Sequence, residues 1–322
     1  MCVVNGEHST FDGATNSVSV VTLGVEAAEY AKRMEDAKHR ALSSAAQLCP
    51  DPRVKQLIPQ LYHHVAPDMV NHRDPRMIAE VASSLVAFAQ QRNAGEAKVR
   101  VSDMPGIAGT VIEICTDDMP FLVDSLTARL NLDLHSILVV IHPQMLVRRD
   151  GQGVLVDVIE SGDALDDVSE FIAESWMHIE VTRIKNSDDQ EACAESLLRV
   201  LHDVRVAVRD WIPMRDQALV LADELAADRP ASVGAEELDE SIELLRWLTD
   251  DNFTFLGYRE YRLVGDVGDE ALEVVDGTGL GILAGQQSHS KAFAALPAAA
   301  RVHAREPHVL VITKANRKST VH

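Results

Sequence analysis

The hydrophobic period of the chain changes several times, and those changes divide it into parts. Residues 1–23 show no clear period and read as a mobile N-terminus. Tyr30, Met34, Ala37 and Ala41 then recur at helical spacing, predicting a helix that Pro50 and Pro52 end. A second helix is better marked. Asp74 can cap it, Pro75 suits its first position, and Ile78, Val81, Leu85 and Phe88 form one apolar stripe before a stop at Gly95.

From Lys98 the period becomes strand-like. Residues 110–115 read as a strand through Val111, Ile112 and Ile114. Asp117 or Asp118 then caps a helix whose first turn holds Pro120, with Leu122, Leu126 and Leu130 on one face. Residues 135–141 are apolar on both faces and predict a central strand. Residues 145–149 and 154–158 flank Asp150-Gly151-Gln152-Gly153, a hairpin signal. Met177, Ile179 and Val181 alternate with His178, Glu180 and Thr182, which predicts a strand with one wet face. A long helix follows, carrying Leu197, Leu201, Val204, Val208 and Trp211 until Pro213 breaks it. A helical pair ends with Leu238, Ile242, Leu245 and Leu248. The remainder turns strand-rich at 253–263, 271–275 and 309–313, with an Ala/Gly/polar stretch at 283–301.

Composition narrows the function. The 322 residues suggest roughly two domains. Fifty acidic residues against 30 basic ones give a formal charge of −20. That field repels a phosphate backbone or an anionic membrane surface, so neither is an expected partner. Cys2, Cys49, Cys115 and Cys193 lie far apart without a CxxC pair and read as reduced thiols of a cytoplasmic protein. No apolar run is long enough to span a bilayer or to serve as a signal peptide.

The chemistry-bearing residues are sparse. Gly277-Thr278-Gly279-Leu280-Gly281 follows an apolar run but has Ile282 where a dinucleotide fingerprint would continue, so no nucleotide cofactor is expected. His63, His64 and His72 with Asp68 lie close together, but Pro67 denies them helical metal-ligand spacing; a polar loop between helices is the favoured reading, and no metal is expected. His178 and Glu180 share a strand face and could form an acid–base pair, although plain polar alternation explains them more economically. Asp117, Asp118 and Asp124 are read as helix-capping acids rather than a cation site.

Asp118-Met119-Pro120-Phe121-Leu122 sits at a strand-to-helix turn and resembles the D-x-P-G-L turn of ACT domains, small modules that sense amino acids. The wider run from Asp117 to Ser125 resembles the N-terminal region of the large bacterial NAD-dependent glutamate dehydrogenases. Further segments agree in order: His64-Val65-Ala66-Pro67, the run from Glu174 to Glu180, Asp210 to Arg215, Phe253 to Tyr261, and Thr313-Lys314-Ala315-Asn316.

The resemblance implies an α+β chain: an ACT-like βαββ module and a second β-rich, PAS-like module, joined by helices. The expected layout is a mobile N-terminus at 1–23, a helical arm at 24–96, the ACT-like module at 97–211, a helical connector at 212–250 and the PAS-like module at 251–322, truncated at its end. It implies a regulatory and assembly portion of a dehydrogenase that converts L-glutamate to 2-oxoglutarate with NAD, the catalytic half and NAD site lying beyond these residues. No catalytic residue carries over. The turn residues Asp118, Met119, Pro120, Phe121 and Leu122 are the ligand-binding candidates, with Phe121 standing where the ACT glycine would let a ligand reach the backbone. Expected partners are copies of its own or related chains through β edges, or a separate dehydrogenase half. The alternative is a stand-alone amino-acid-sensing ACT-type module.

Overall fold

The computed structural model describes residues 16–159, 170–264 and 271–285. In chain order the elements are α1 (Asn16–Leu48), α2 (Pro52–Leu61), α3 (Pro67–Asn71), α4 (Pro75–Ala89), β1 (Lys98–Ser102), β2 (Thr110–Asp117), α5 (Leu122–Leu132), β3 (Ile137–Ile141), β4 (Gln144–Arg149), β5 (Leu155–Ile159), β6 (Ile172–Val181), α6 (Ser187–Ala227), α7 (Ala235–Trp247), β7 (Gly257–Tyr258), β8 (Tyr261–Val264), β9 (Ala271–Val274) and β10 (Leu280–Gly281). The α+β class is as expected. The strand read at 309–313 and most of the 283–301 stretch lie outside the described residues. The chain divides into two units: 1–94, 103–116 and 138–180 form one, and 95–102, 117–137 and 181–322 the other.

In the first unit, helices α1 to α4 cover a sheet. Helix α1 stops at Leu48, ahead of Pro50 and Pro52 as expected, and Pro52, Pro67 and Pro75 each open the next helix. Asp51 accepts a hydrogen bond from the Arg53 amide at 2.8 Å and places Pro52 in the first turn of α2. Asp74 does the same for Arg76 and Pro75 in α4. Pro67 opens α3, so the segment read as a polar loop holds a short helix. The first turn needs no amide from these positions, and proline's fixed φ already suits a helix. Helix α1 begins at Asn16, inside the stretch read as aperiodic. Helix α4 ends at Ala89, before Gly95.

The sheet of this unit runs β2-β6-β4-β5, with β3 also pairing with β6. Strand β3 is therefore not central. Residues 136–147 run antiparallel beside β6 as one ladder, from Thr182 N–H to Ser136 O through Trp176 N–H to Pro143 O to Val147 opposite Ile172. Only the sequence His142-Pro143 interrupts it, because proline has no amide to donate. The expected hairpin is β4–β5, with Gly153 at φ 79 in its turn. Segment 90–92 docks on β5: Leu155 N–H donates to Gln90 O at 2.8 Å. Leu42, Ile58, Ile78, Leu85, Val111 and Trp176 are among the side chains of the core between helices and sheet.

The second unit is organised by α6. Its 41 residues reach about 60 Å. It continues through Pro213, contrary to the expected break. The carbonyl that Pro213 leaves without a donor belongs to Arg209, whose side chain is solvent-exposed, and burial of Val204 before and Met214 and Ala218 after holds the helix together. The predicted stripe holds at Leu197, Leu201 and Val204, but Trp211 is 40% exposed. Helix α7 packs on α6 through Leu238, Ile242 and Leu245. Helix α5 also packs on α6, with Leu122, Leu126 and Leu130 buried as expected. Beyond α7 lie two antiparallel two-stranded ribbons, β7–β10 and β8–β9. Residues 253–256, read as strand, belong to no strand, although the Ile282 amide donates to Leu256 O at 2.9 Å.

Candidate functional site

The turn between β2 and α5 departs from its expected capping. Helix α5 begins at Leu122, and its N-cap is Phe121, which makes no side-chain cap bond. Asp117 turns instead to Arg205 of α6, with Nη1–Oδ2 at 2.7 Å. Phe121 itself lies at φ 70, ψ 1, the left-handed region. A non-glycine residue there is strained by roughly 1 kcal/mol or more. The backbone thus keeps the conformation that the glycine of a D-x-P-G-L turn takes freely, while carrying a bulky side chain.

Pro120 and Phe121 form one wall of a cavity of about 320 Å³ in the second unit. Ala207, Val208 and Trp211 of α6 form another, and Phe253, Thr254, Phe255 and Leu256 close it. The rings of Phe253 and Phe255 meet edge to face at 5.7 Å. The one carboxylate of the lining is Asp251, also left-handed at φ 54. This cavity is at the small end for a ligand pocket and is mostly apolar. Of the five candidates, Pro120 and Phe121 line it; Asp118 and Met119 are half-buried, and Leu122 is buried. Sequence reasoning missed its far wall, which begins at Ala207, 86 residues beyond Phe121. The signal was present: the runs beginning at Asp117, Asp210 and Phe253, each noted for its resemblance, all contribute to this cavity.

His178 and Glu180 are brought together, with Nε2–Oε1 at 3.1 Å, but not on a wet face. Glu174, Trp176, His178 and Glu180 alternate on the face of β6 that the helices cover, and all four are buried. The helices supply the compensating charge. Arg73, just before α4, meets Glu180 at 2.7 Å. Burial alone would raise the Glu180 carboxyl, but hydrogen bonds from His178 and Arg73 outweigh it and hold it at about 2. A carboxylate so firmly ionised and so enclosed is a poor proton acceptor. This pair anchors the helical layer to the strand.

A second anchor lies six residues before Glu180, at Glu174. Glu174 receives Arg92 through Nε at 3.0 Å and Nη2 at 2.7 Å. It also receives Arg149 through Nε at 2.6 Å and Nη2 at 2.8 Å, and Trp176 Nε1 at 2.8 Å. Burial opposes its ionisation, yet the bonds from Arg149, Trp176 and Arg92 keep its carboxyl below the ordinary range. Arg149 also donates to Ala89 O and Gly153 O, which ties the end of α4 to the β4–β5 hairpin. The neighbouring Cys115 thiol is pushed up to about 12, first by burial and then by the Glu174 charge, so it is inert at neutral pH.

The remaining candidates take structural places. The His63 and His64 rings meet edge to face at 4.6 Å, and the His63 carbonyl accepts from buried Lys38 at 2.9 Å. In the glycine segment, Gly281 (φ 57) pairs with Gly257, and its amide donates to Asp210 at 2.8 Å. A Cβ on Gly281 would lie 2.2 Å from Leu256 O, so this glycine serves close backbone approach rather than a phosphate cradle. Among the described residues no helix is long and apolar enough to cross a membrane.

Residues 57–197 match the family model described as glutamate dehydrogenase, ACT1 domain. Three relatives, each named NAD-specific glutamate dehydrogenase, align with the chain. The protein from Halomonas elongata is 41% identical over 175 residues, 54% of this chain and 10% of the relative. That from Pseudomonas aeruginosa is 33% identical over 220 residues, 66% of this chain and 13% of the relative. That from Mycobacterium tuberculosis is 27% identical over 201 residues, 62% and 12%. The chain thus matches only about an eighth or less of these relatives' length.

Proposed function

We propose that this chain, whose residues 57–197 carry the ACT1 domain of the glutamate dehydrogenases, is a regulatory and assembly portion of an NAD-specific glutamate dehydrogenase. The carrying observation is the match of the β2–α5 region to that regulatory domain, together with the left-handed Phe121 turn walling an apolar cavity. The parent reaction would be oxidative deamination of L-glutamate to 2-oxoglutarate, with NAD bound by parts of such an enzyme that these residues do not represent. In support, the glycine segment 277–281 is engaged in strand pairing and in the Asp210 bond, and His178–Glu180 is locked by Arg73.

In this reading residues 24–96 are a helical arm, 97–211 the ACT-like module, 212–250 a connector and 251–322 a β-rich, PAS-like module. The protein works in the cytoplasm, with neither nucleic acid nor membrane as partner. It assembles with its own or related chains through β edges, or with a separate dehydrogenase half. The Phe121 ring covers the backbone that an amino acid would have to reach, so the turn serves assembly more than sensing.

Two assays test this. Absorbance at high protein concentration should show no glutamate-dependent NAD reduction. Turnover that survives repurification and is lost in a His178→Ala variant overturns the non-catalytic reading. Calorimetry with a panel of amino acids should show weak binding or none; tight binding lost in Asp118→Ala would favour the stand-alone sensor.

A further inference from the structure

A second cavity of the same unit, about 570 Å³ and open to solvent, has a different character. It lies where the end of α5 meets the start of α6. Arg129, Arg183, Lys185 and Arg199 bring four permanent cations to its lining, against the two carboxylates Asp133 and Asp189. On a chain of formal charge −20, such a local excess of positive charge is unusual.

Both carboxylates are already engaged. Asp133 receives Arg129 bidentately, Nε–Oδ2 at 2.8 Å and Nη2–Oδ1 at 2.7 Å. Asp189 accepts from the Asn186 side-chain amide at 2.8 Å, within the cap of α6. Lys185 and Arg199 have no ion-pair partner among the described residues. Asp203, one turn further along α6, feels the Arg199 charge without pairing with it. The floor is made of small side chains, Ala192, Cys193 and Ser196, which leave room above them. His135 also lines the cavity.

We propose that this cavity is an anion site. Its ligand is a small polyanion carrying two or more closely spaced phosphate or carboxylate groups. A single monovalent anion would engage only part of a rim supplied by α5, by the turn before α6 and by α6 itself. The guanidinium of Arg199 suits a planar bidentate contact with an oxyanion, and Lys185 supplies a mobile point charge. The acidic remainder of the chain disfavours a long anionic polymer, which would have to lie along repelling surface. A compact ligand confined to the cavity avoids that field.

The test uses the purified 322-residue chain at constant ionic strength. Pyrophosphate and propane-1,2,3-tricarboxylate are titrated calorimetrically in separate arms, and the arm that binds identifies phosphate or carboxylate as the source. A saturable one-site isotherm is expected in at least one arm. The double variant Lys185→Ala, Arg199→Ala should weaken it at least tenfold. Both side chains are exposed, so circular dichroism should be unchanged. Arg199→Lys, which keeps the charge but not the fork, should recover part of the loss. Absence of saturable binding in both arms, or binding indifferent to the double variant, overturns the site.

Discussion

Replacing Glu174 by glutamine is the most discriminating test of how the helical layer is held to the sheet. The carboxylate is fully buried and receives two guanidiniums and an indole N–H. The isosteric amide keeps the volume but removes the charge. It also presents an NH₂ group to donors that need an acceptor. Arg92, 0% exposed, and Arg149, 6% exposed, then lose the buried negative charge that both of them reach. Breaking a buried ion pair from one side costs about 3–5 kcal/mol, and the guanidinium–backbone bonds of Arg149 place this case inside that range rather than above it. For a unit of this size, such a loss lowers the melting temperature by roughly 6–20 °C. Urea unfolding followed by Trp176 fluorescence reports on the same site, since the indole donates to the group being changed. The acid limb is a second readout. The folded carboxyl lies below its unfolded value, so its stabilisation is full above the unfolded pKa and disappears as pH falls through the folded one. Glu174→Gln should lose that dependence. A urea midpoint within about 0.5 kcal/mol of wild type would refute the anchor reading.

Three other expectations follow from the same geometry. Glu180, held at about 2 against an ordinary 4.5, should contribute up to about 3 kcal/mol above pH 4.5, declining as pH falls towards 2; Glu180→Gln should flatten that limb in acid denaturation curves. Phe121→Gly should relieve the left-handed strain, by roughly 1 kcal/mol, while opening the 320 Å³ cavity, so a small net stability change should accompany stronger binding of apolar dyes there; weaker dye binding would count against the ring as a wall. Hydrogen exchange should be faster in β7–β10 and β8–β9 than in β2 and β6, because a two-stranded ribbon is marginal by itself, and Asp210→Ala should speed the Gly281 amide further; equal slow exchange in both regions would contradict this.

Local signals in the sequence were read correctly where a local cause decides the outcome. Asp74-Pro75 opens a helix, Asp150-Gly151-Gln152-Gly153 turns a hairpin, and Leu122, Leu126 and Leu130 are buried on α5, because each depends on residues within one or two turns. The misreadings share a different cause. Pro67 looked like a helix breaker, but a proline's effect depends on whether it falls in the first turn or the interior, which the period alone does not fix over five residues. Pro213 looked like an end, but packing on both sides of it outweighs one missing amide and an exposed carbonyl. The strand from Glu174 to Glu180 carries the deepest lesson. Its alternation of charged and apolar residues fits a half-solvated strand, and nothing within the strand says otherwise. The correction comes from Arg73, Arg92 and Arg149, which lie 25 to 107 positions away in sequence and supply the charges that let both glutamates be buried. An alternating strand can therefore face a core when guanidiniums from the covering helical layer and from a neighbouring strand meet its carboxylates. The same non-local logic hid the Phe121 cavity, whose walls arrive from three segments that each resemble the family singly but carry no local sign that they meet.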